Sequence, residues 1–268
     1  MFIQSKLLDP YVLHGFTTKA MGDMSLIRNT DGKAEQHNQA LYDFLGISQN
    51  ELTIVNPKLN HGANFAFVKS TGRFGYRSID FDSPETKYSQ RITTVATEDL
   101  HPIHDTGIDA CFTKDPRVVL TMRPADCAVL FVVDPIKNSF GLIHAGTASI
   151  TSDGVWRAIK FYIFASGTKP ENVLVFVSPS ITAKAYNLTK SGLWQRKLHK
   201  TIKLEDALHY DPQASILQQL LNAGLKRKNI QISSFCTASD HALFFSNHTS
   251  LDPTKEGRML ALIGTKHI

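Results

Sequence analysis

The sequence predicts a mixed α/β or α+β fold, with helices covering the faces of β-sheet. Two observations carry this. Helical and strand-like patterns alternate from residue 153 onward, and short apolar runs bounded by turn residues crowd the segment 118–143. A third, the composition, is that of an ordinary globular chain: 268 residues, 42% hydrophobic and 20% charged.

The elements follow in order. Lys33 to Leu45 reads as a helix, with Asp31 as its cap, Leu41, Phe44 and Leu45 on the apolar side, and Gly46 as its end. Lys69 to Gly107 is polar and weakly periodic; it predicts a long loop or small subdomain over a site. Val118 to Met122, Ala128 to Val133 and Phe140 to Ile143 read as strands. Asp153 to Ser166 reads as a second helix, with Ser152 or Asp153 as cap and Gly167 after it. A third helix has Asp211 as cap, Pro212 in its first turn, Ile216, Leu217, Leu220 and Leu221 as its stripe, and Gly224 as its stop. Strands Val173 to Val177 and Ile230 to Phe235 follow the second and third helices. One domain over 1–268 is expected.

Several function classes are disfavoured. No apolar run is long enough for a membrane helix, and the first residues lack the pattern of a signal peptide. Three cysteines, Cys111, Cys127 and Cys236, argue against a disulfide framework and for a reducing, cytoplasmic setting. The net charge of +5 does not specify nucleic acid, and the basic stretch Lys190 to Lys203 reads foremost as a solvated face. Phosphate-binding glycine loops and a nucleophile elbow are absent. His101 and His104 are weak evidence for a metal.

The chemistry concentrates in Arg123 to Gly146. Cys127 stands before one apolar run and His144 ends the next, with a turn at Asp134 to Asn138 between. If Val133 faces Asn138 in an antiparallel hairpin, Cys127 faces His144, with Cβ atoms about 4.5–5.5 Å apart. That spacing suits two ligands of one metal ion. It equally suits a thiolate–imidazolium dyad, and the bland alternative is a buried thiol and a satisfied histidine at strand ends. His61, just before Phe65, Phe67 and Val68, is the candidate third ligand.

The same segments resemble the laccase-domain family, whose members are also described as multicopper polyphenol oxidase-like proteins, peptidoglycan editing factors and purine nucleoside phosphorylases. Leu59-Asn60-His61-Gly62, Asp109-Ala110-Cys111-Phe112-Thr113, Pro124-Ala125-Asp126-Cys127 and His144-Ala145-Gly146 fall in the family's order. His14-Gly15-Phe16-Thr17-Thr18-Lys19, Ser178-Pro179-Ser180-Ile181, Cys236-Thr237, Phe244-Phe245-Ser246 and Gly257-Arg258 extend the likeness over nearly the whole chain.

The resemblance implies mixed β-sheets packed as a sandwich with helices outside, in α/β/β/α layers. It implies metal ligation by His61, Cys127 and His144, with zinc as the metal and copper as the other that the family name suggests. Laccase chemistry proper needs many more histidines than this one cluster. The implied substrates are purine nucleosides (adenosine, inosine, guanosine, methylthioadenosine) and phosphate, with phosphorolysis or adenosine deamination as the reaction. Neither nucleic acid nor membrane is an expected partner. Cys127, Asp126 and His144 are the expected catalytic residues, although the Asp126 carboxylate reads equally as a turn residue bonded to nearby backbone. Arg123, Lys19 and Asn29 are candidates for substrate contact.

The departures cluster near the site. Thr147-Ala148-Ser149 replaces the family's Trp-Arg-Gly, Leu59 a glutamine, Lys19 and His248 arginines, and Ser178 a glycine. Ligands are kept while their surroundings change. The alternatives are therefore a metal-independent cysteine hydrolase or peptidoglycan-editing enzyme using Cys127 with His144, or a metal-binding protein of reduced activity.

Overall fold

The computed structural model describes residues 2–26, 31–49, 51–57, 59, 64–69, 74–80, 89–95, 108–188, 200–204, 207–252 and 256–266, with backbone alone at 69, 74–80 and 89–95. In chain order the first strands are β1 (Phe2–Ile3), β2 (Val12–Thr17), β3 (Thr53–Val55), β4 (Phe65–Lys69), β5 (Phe74–Asp80) and β6 (Ser89–Val95). The middle of the chain gives β7 (Ala110–Thr113), β8 (Val118–Met122), β9 (Ala128–Asp134), β10 (Ser139–Ala145) and β11 (Leu174–Val177). The last are β12 (Thr201–Leu204), β13 (Ala207–Tyr210), β14 (Ile230–Ile232) and β15 (Ala261–Thr265). The described α-helices are α1 (Lys33–Phe44), α2 (Thr147–Thr151), α3 (Gly154–Ser166) and α4 (Pro212–Asn222).

One sheet runs β1-β2-β15-β8-β3, and a larger one runs β14-β11-β9-β10-β7-β4-β5-β6. Both are mixed: β3 with β8, β4 with β7, and β11 with β14 pair parallel among antiparallel neighbours. Alternation along the strands shows how the layers stack. In β9, Leu130 and Val132 join Val155, Ile159, Ile216 and Leu220 of α3 and α4. Val129, Phe131 and Val133 face the other way, onto Val118, Leu120, Met122 and Ile263 of the smaller sheet. The outer face of that sheet, with Val119, Leu260 and Leu262, takes Leu41 and Tyr42 of α1. The order is helix, sheet, sheet, helix. Strands buried on both faces explain why 128–133 reads as a continuous apolar run rather than an alternating one.

The helices form where their sequences begin and stop them, with local differences. The Asp211 carboxylate accepts the Ala214 N–H at 2.9 Å, Pro212 opens α4, and Gly224 follows it in the left-handed region (φ 98°). At α1 the Asp31 carboxylate accepts the Lys33 N–H at 3.1 Å, but left-handed Gly32 holds the cap position. The cap expected from Asp153 is not made by its side chain. That residue is itself left-handed (φ 58°) because α2 turns directly into α3. The strand expected over 230–235 ends at Ile232.

Part of the polar stretch 69–107 is strand. Within it β5 and β6 pair antiparallel and extend the larger sheet at its edge. An edge hairpin needs only its backbone ladder and one supporting neighbour, so it carries a weak apolar pattern.

Candidate active and metal site

The hairpin of β9 and β10 carries the site, in a register shifted by two residues from expectation. Phe140, not Asn138, faces Val133, and His144 faces Val129. Asn138 belongs to the turn: it is left-handed (φ 48°), and the Asp134 carboxylate accepts the N–H groups of Ile136 and Lys137. A two-residue shift preserves faces, whereas a one-residue slip would not. Cys127, just outside β9, therefore remains on the His144 side, and its thiol hydrogen-bonds the His144 ring.

His144 is 1% exposed. Its Nδ1 donates to Asp109 Oδ1 at 2.9 Å, and its backbone N–H donates to the Asp109 carbonyl at 2.7 Å. The antiparallel pairing of β10 with β7 sets this up: Ile143 faces Ala110, so the next step brings His144 opposite Asp109. With Nδ1 engaged, Nε2 is the ring atom left for Cys127 or for a metal. Burial by itself lowers the His144 pKa. Hydrogen bonds with Asp109 and Cys127, together with their negative charge, outweigh it and lift the value to about 9. Asp109 is the site residue whose role the sequence did not reveal; the strand register is the signal that finds it.

Cys127 opens into a cavity of about 300 Å³. Its wall is largely apolar, from Ala125, Ala128, Ala145, Ile150 and Ile181, with Tyr186 and His248 beside them. Thr147 Oγ1 and the Tyr186 hydroxyl are 2.8 Å apart. Tyr186 sits far along the chain from Cys127, and no local pattern marks it.

The other expected site residues are placed as follows. The Asp126 carboxylate accepts the Thr237 hydroxyl at 2.7 Å and the His248 backbone N–H at 2.8 Å. Both oxygens are thereby used to clasp two loops, distant in the chain, to the residue before Cys127. Arg123 is stitched into the fold by Nε to the Met24 carbonyl (2.7 Å), Nη2 to Asn38 Oδ1 (2.6 Å) and Nη1 to Asn56 Oδ1. It does not line the cavity. Lys19 donates to the His241 carbonyl at 3.0 Å and lies 5.2 Å from the Phe245 ring centre, also away from the cavity wall. His61, Asn29, His101 and His104 lie outside the described residues. Cys111 is buried, and burial first, then the Asp109 charge, pushes its thiol up to about 12. It is inert beside Cys127.

Solved structures share this architecture. The Bacillus licheniformis hypothetical protein YfiH superposes with a TM-score of 0.75 at 18% identity, over 97% of this chain and 94% of that one. YlmD from Geobacillus stearothermophilus gives 0.74 at 21%, over 96% and 92%. The fold is thus that of the YfiH and YlmD proteins. By sequence the chain belongs to the multi-copper polyphenol oxidoreductase laccase family, matched over residues 24–266. Among relatives, the purine nucleoside phosphorylase YlmD of Bacillus subtilis is 27% identical over 167 residues, 59% of this chain and 59% of that protein. The chain thus spans less than two thirds of that relative in the alignment. A Staphylococcus aureus protein, also named purine nucleoside phosphorylase YlmD, is 26% identical over 98% of this chain and 95% of its own.

The donors on view suit a metal of the zinc type. A half-buried thiol and an imidazole oriented by a buried carboxylate is the arrangement by which zinc ligands are usually held. Among the described residues no third histidine, cysteine, aspartate or glutamate joins them.

Proposed function

We propose that this chain is a zinc-dependent purine nucleoside phosphorylase acting on adenosine, inosine, guanosine and methylthioadenosine. The observation that carries the reading is the buried Asp109–His144 pair joined to the half-buried Cys127, which lines a largely apolar cavity. The names of its relatives support it. Cys127 and His144 are two of the proposed ligands and His61 the third. His61 precedes Asn64 by three residues, a span of about 10 Å at most. The Asn64 carbonyl accepts the Asp109 N–H at 3.0 Å.

Cys127, His144 and His61 would hold the zinc ion, which would supply a Lewis acid beside the cavity. The protein's own groups do the rest. Asp109 fixes the tautomer and aim of His144. Asp126 fixes the loop that carries His248. The apolar wall keeps water from a flat heterocycle, which suits a purine.

The test is metal analysis followed by a nucleoside panel with product chromatography. Bound zinc at one per chain, lost in Cys127→Ala, and phosphate-dependent release of free base are expected. Inosine appearing from adenosine would add deamination. Zinc-loaded protein that leaves every nucleoside unchanged, with and without phosphate, would refute the reading.

One observation favours a second reading. A thiol hydrogen-bonded to an imidazole whose other nitrogen meets a carboxylate is also the arrangement of a cysteine hydrolase. Hydrolysis that survives complete chelation, with Cys127 alkylated by iodoacetamide in step with loss of activity, would select it.

A further inference from the structure

His248 lines the cavity into which Cys127 opens. Its backbone N–H is held by Asp126 Oδ2 at 2.8 Å, so the residue before Cys127 sets its position. Its ring meets that of Tyr186 edge-on, with centroids 5.6 Å apart and planes at 70°. Tyr186 is fixed in turn by Thr147 and by the ring of Tyr210. Among the described residues, neither ring nitrogen of His248 has a hydrogen-bond partner.

Most of the other polar groups on this wall are engaged, the Asn247 amide N–H₂ excepted. The Asp126 oxygens hold Thr237 and the His248 backbone, and the Thr147 hydroxyl holds Tyr186. Asn247 Oδ1 takes Arg258 Nη1 at 3.1 Å. In an apolar cavity the few uncommitted polar groups are those that orient the ligand.

We propose that His248 is a substrate-contacting residue of this site, its imidazole N–H hydrogen-bonding a ring nitrogen of the purine. This rests on the nucleoside reading above. In phosphorolysis a phosphate oxygen bonds to the anomeric carbon as the N-glycosidic bond breaks, and the bonding pair passes into the purine. Charge grows on the ring nitrogens, and a donor already aimed there is worth more at that moment than in the ground state. The departing purine anion takes its proton from solvent.

The experiment compares zinc-loaded wild type, His248→Ala and His248→Gln on adenosine and on deazaadenosines that each replace one ring nitrogen with carbon. His248→Ala should lower kcat on adenosine by about 10–100-fold with a smaller change in KM. His248→Gln, which keeps an N–H donor, should recover part of the loss. The penalty for one deaza analogue should shrink about tenfold in His248→Ala, because the contact it tests is already gone. Zinc content should match wild type and the melting temperature should fall only by the loss of the edge contact with Tyr186, since any residue except proline keeps the N–H that Asp126 holds. Unchanged turnover in His248→Ala, or deaza penalties that all persist in it, would overturn the proposal while leaving the nucleoside reading intact. A wild type that turns over no nucleoside would remove both.

Discussion

Replacing Asp109 probes the centre of the site directly. Asp109 and His144 are each 1% exposed, and their side chains meet at 2.9 Å. Asp109→Asn keeps the shape and the backbone bond to His144 but removes the charge. A partner of this kind contributes about 10–100-fold to metal affinity, so zinc should bind more weakly by about 1.4–2.7 kcal/mol. Asp109→Ala goes further, leaving a buried imidazole without its partner. Breaking a buried pair in this way costs about 3–5 kcal/mol, and the metal-free protein should lose most of that in urea unfolding. Zinc affinity is read by competition with a chromophoric chelator, and stability by denaturant melts of chelated protein. If Asp109→Asn holds zinc as tightly as wild type and Asp109→Ala unfolds at the same urea concentration, the pair has no energetic role.

Three further outcomes are expected. The His14 ring takes the Ser5 N–H on Nε2 at 2.8 Å, and burial holds its pKa below the ordinary 6.5. The unfolded chain therefore binds the proton first, and stability present above pH 6.5 is lost as the pH falls through the depressed folded value. Urea melts across that range should show a shallower acid-side loss for His14→Gln, and an equal slope would contradict the assignment. Asp126→Ala strands one buried and one part-buried donor and places alanine at φ 75°, so it should destabilise by about 2–3 kcal/mol, against about 1 kcal/mol for Asp126→Asn; thermal melts decide this. Gly141→Ala would put a Cβ 2.2 Å from Phe112 and 2.5 Å from the Cys111 carbonyl. It should cost about 1–3 kcal/mol or more, read as lost soluble yield or a lower melting temperature.

Much of the fold is legible in the chain because its signals are local. Asp211-Pro212 and Gly224 mark α4 whatever surrounds them, and the apolar run 128–133 announces a strand buried on both faces. The pairing of β5 with β6 is not legible, since backbone pairing leaves little trace in side-chain order. The site is half legible. Cys127 and His144 converge although the turn is longer than the sequence suggests, because a shift of two keeps side chains on their face. Arg123 shows the reverse case. It is a candidate for substrate contact by sequence, but just after β8 its guanidinium bonds Asn38, Asn56 and Met24.

The sequence by itself determined which residue types were available for chemistry, the spans of the main helices with the Asp211 cap, and the presence of Cys127 and His144 at the open end of one hairpin. Those properties depend on neighbours within a few residues, or on one hairpin. Only the tertiary structure decided that Asp109 orients His144, that Asp126 is a clasp, and that Tyr186 and His248 share a wall with Cys127. Each of these joins segments distant in the chain. Such contacts are set by strand register and sheet packing, which the whole chain fixes together.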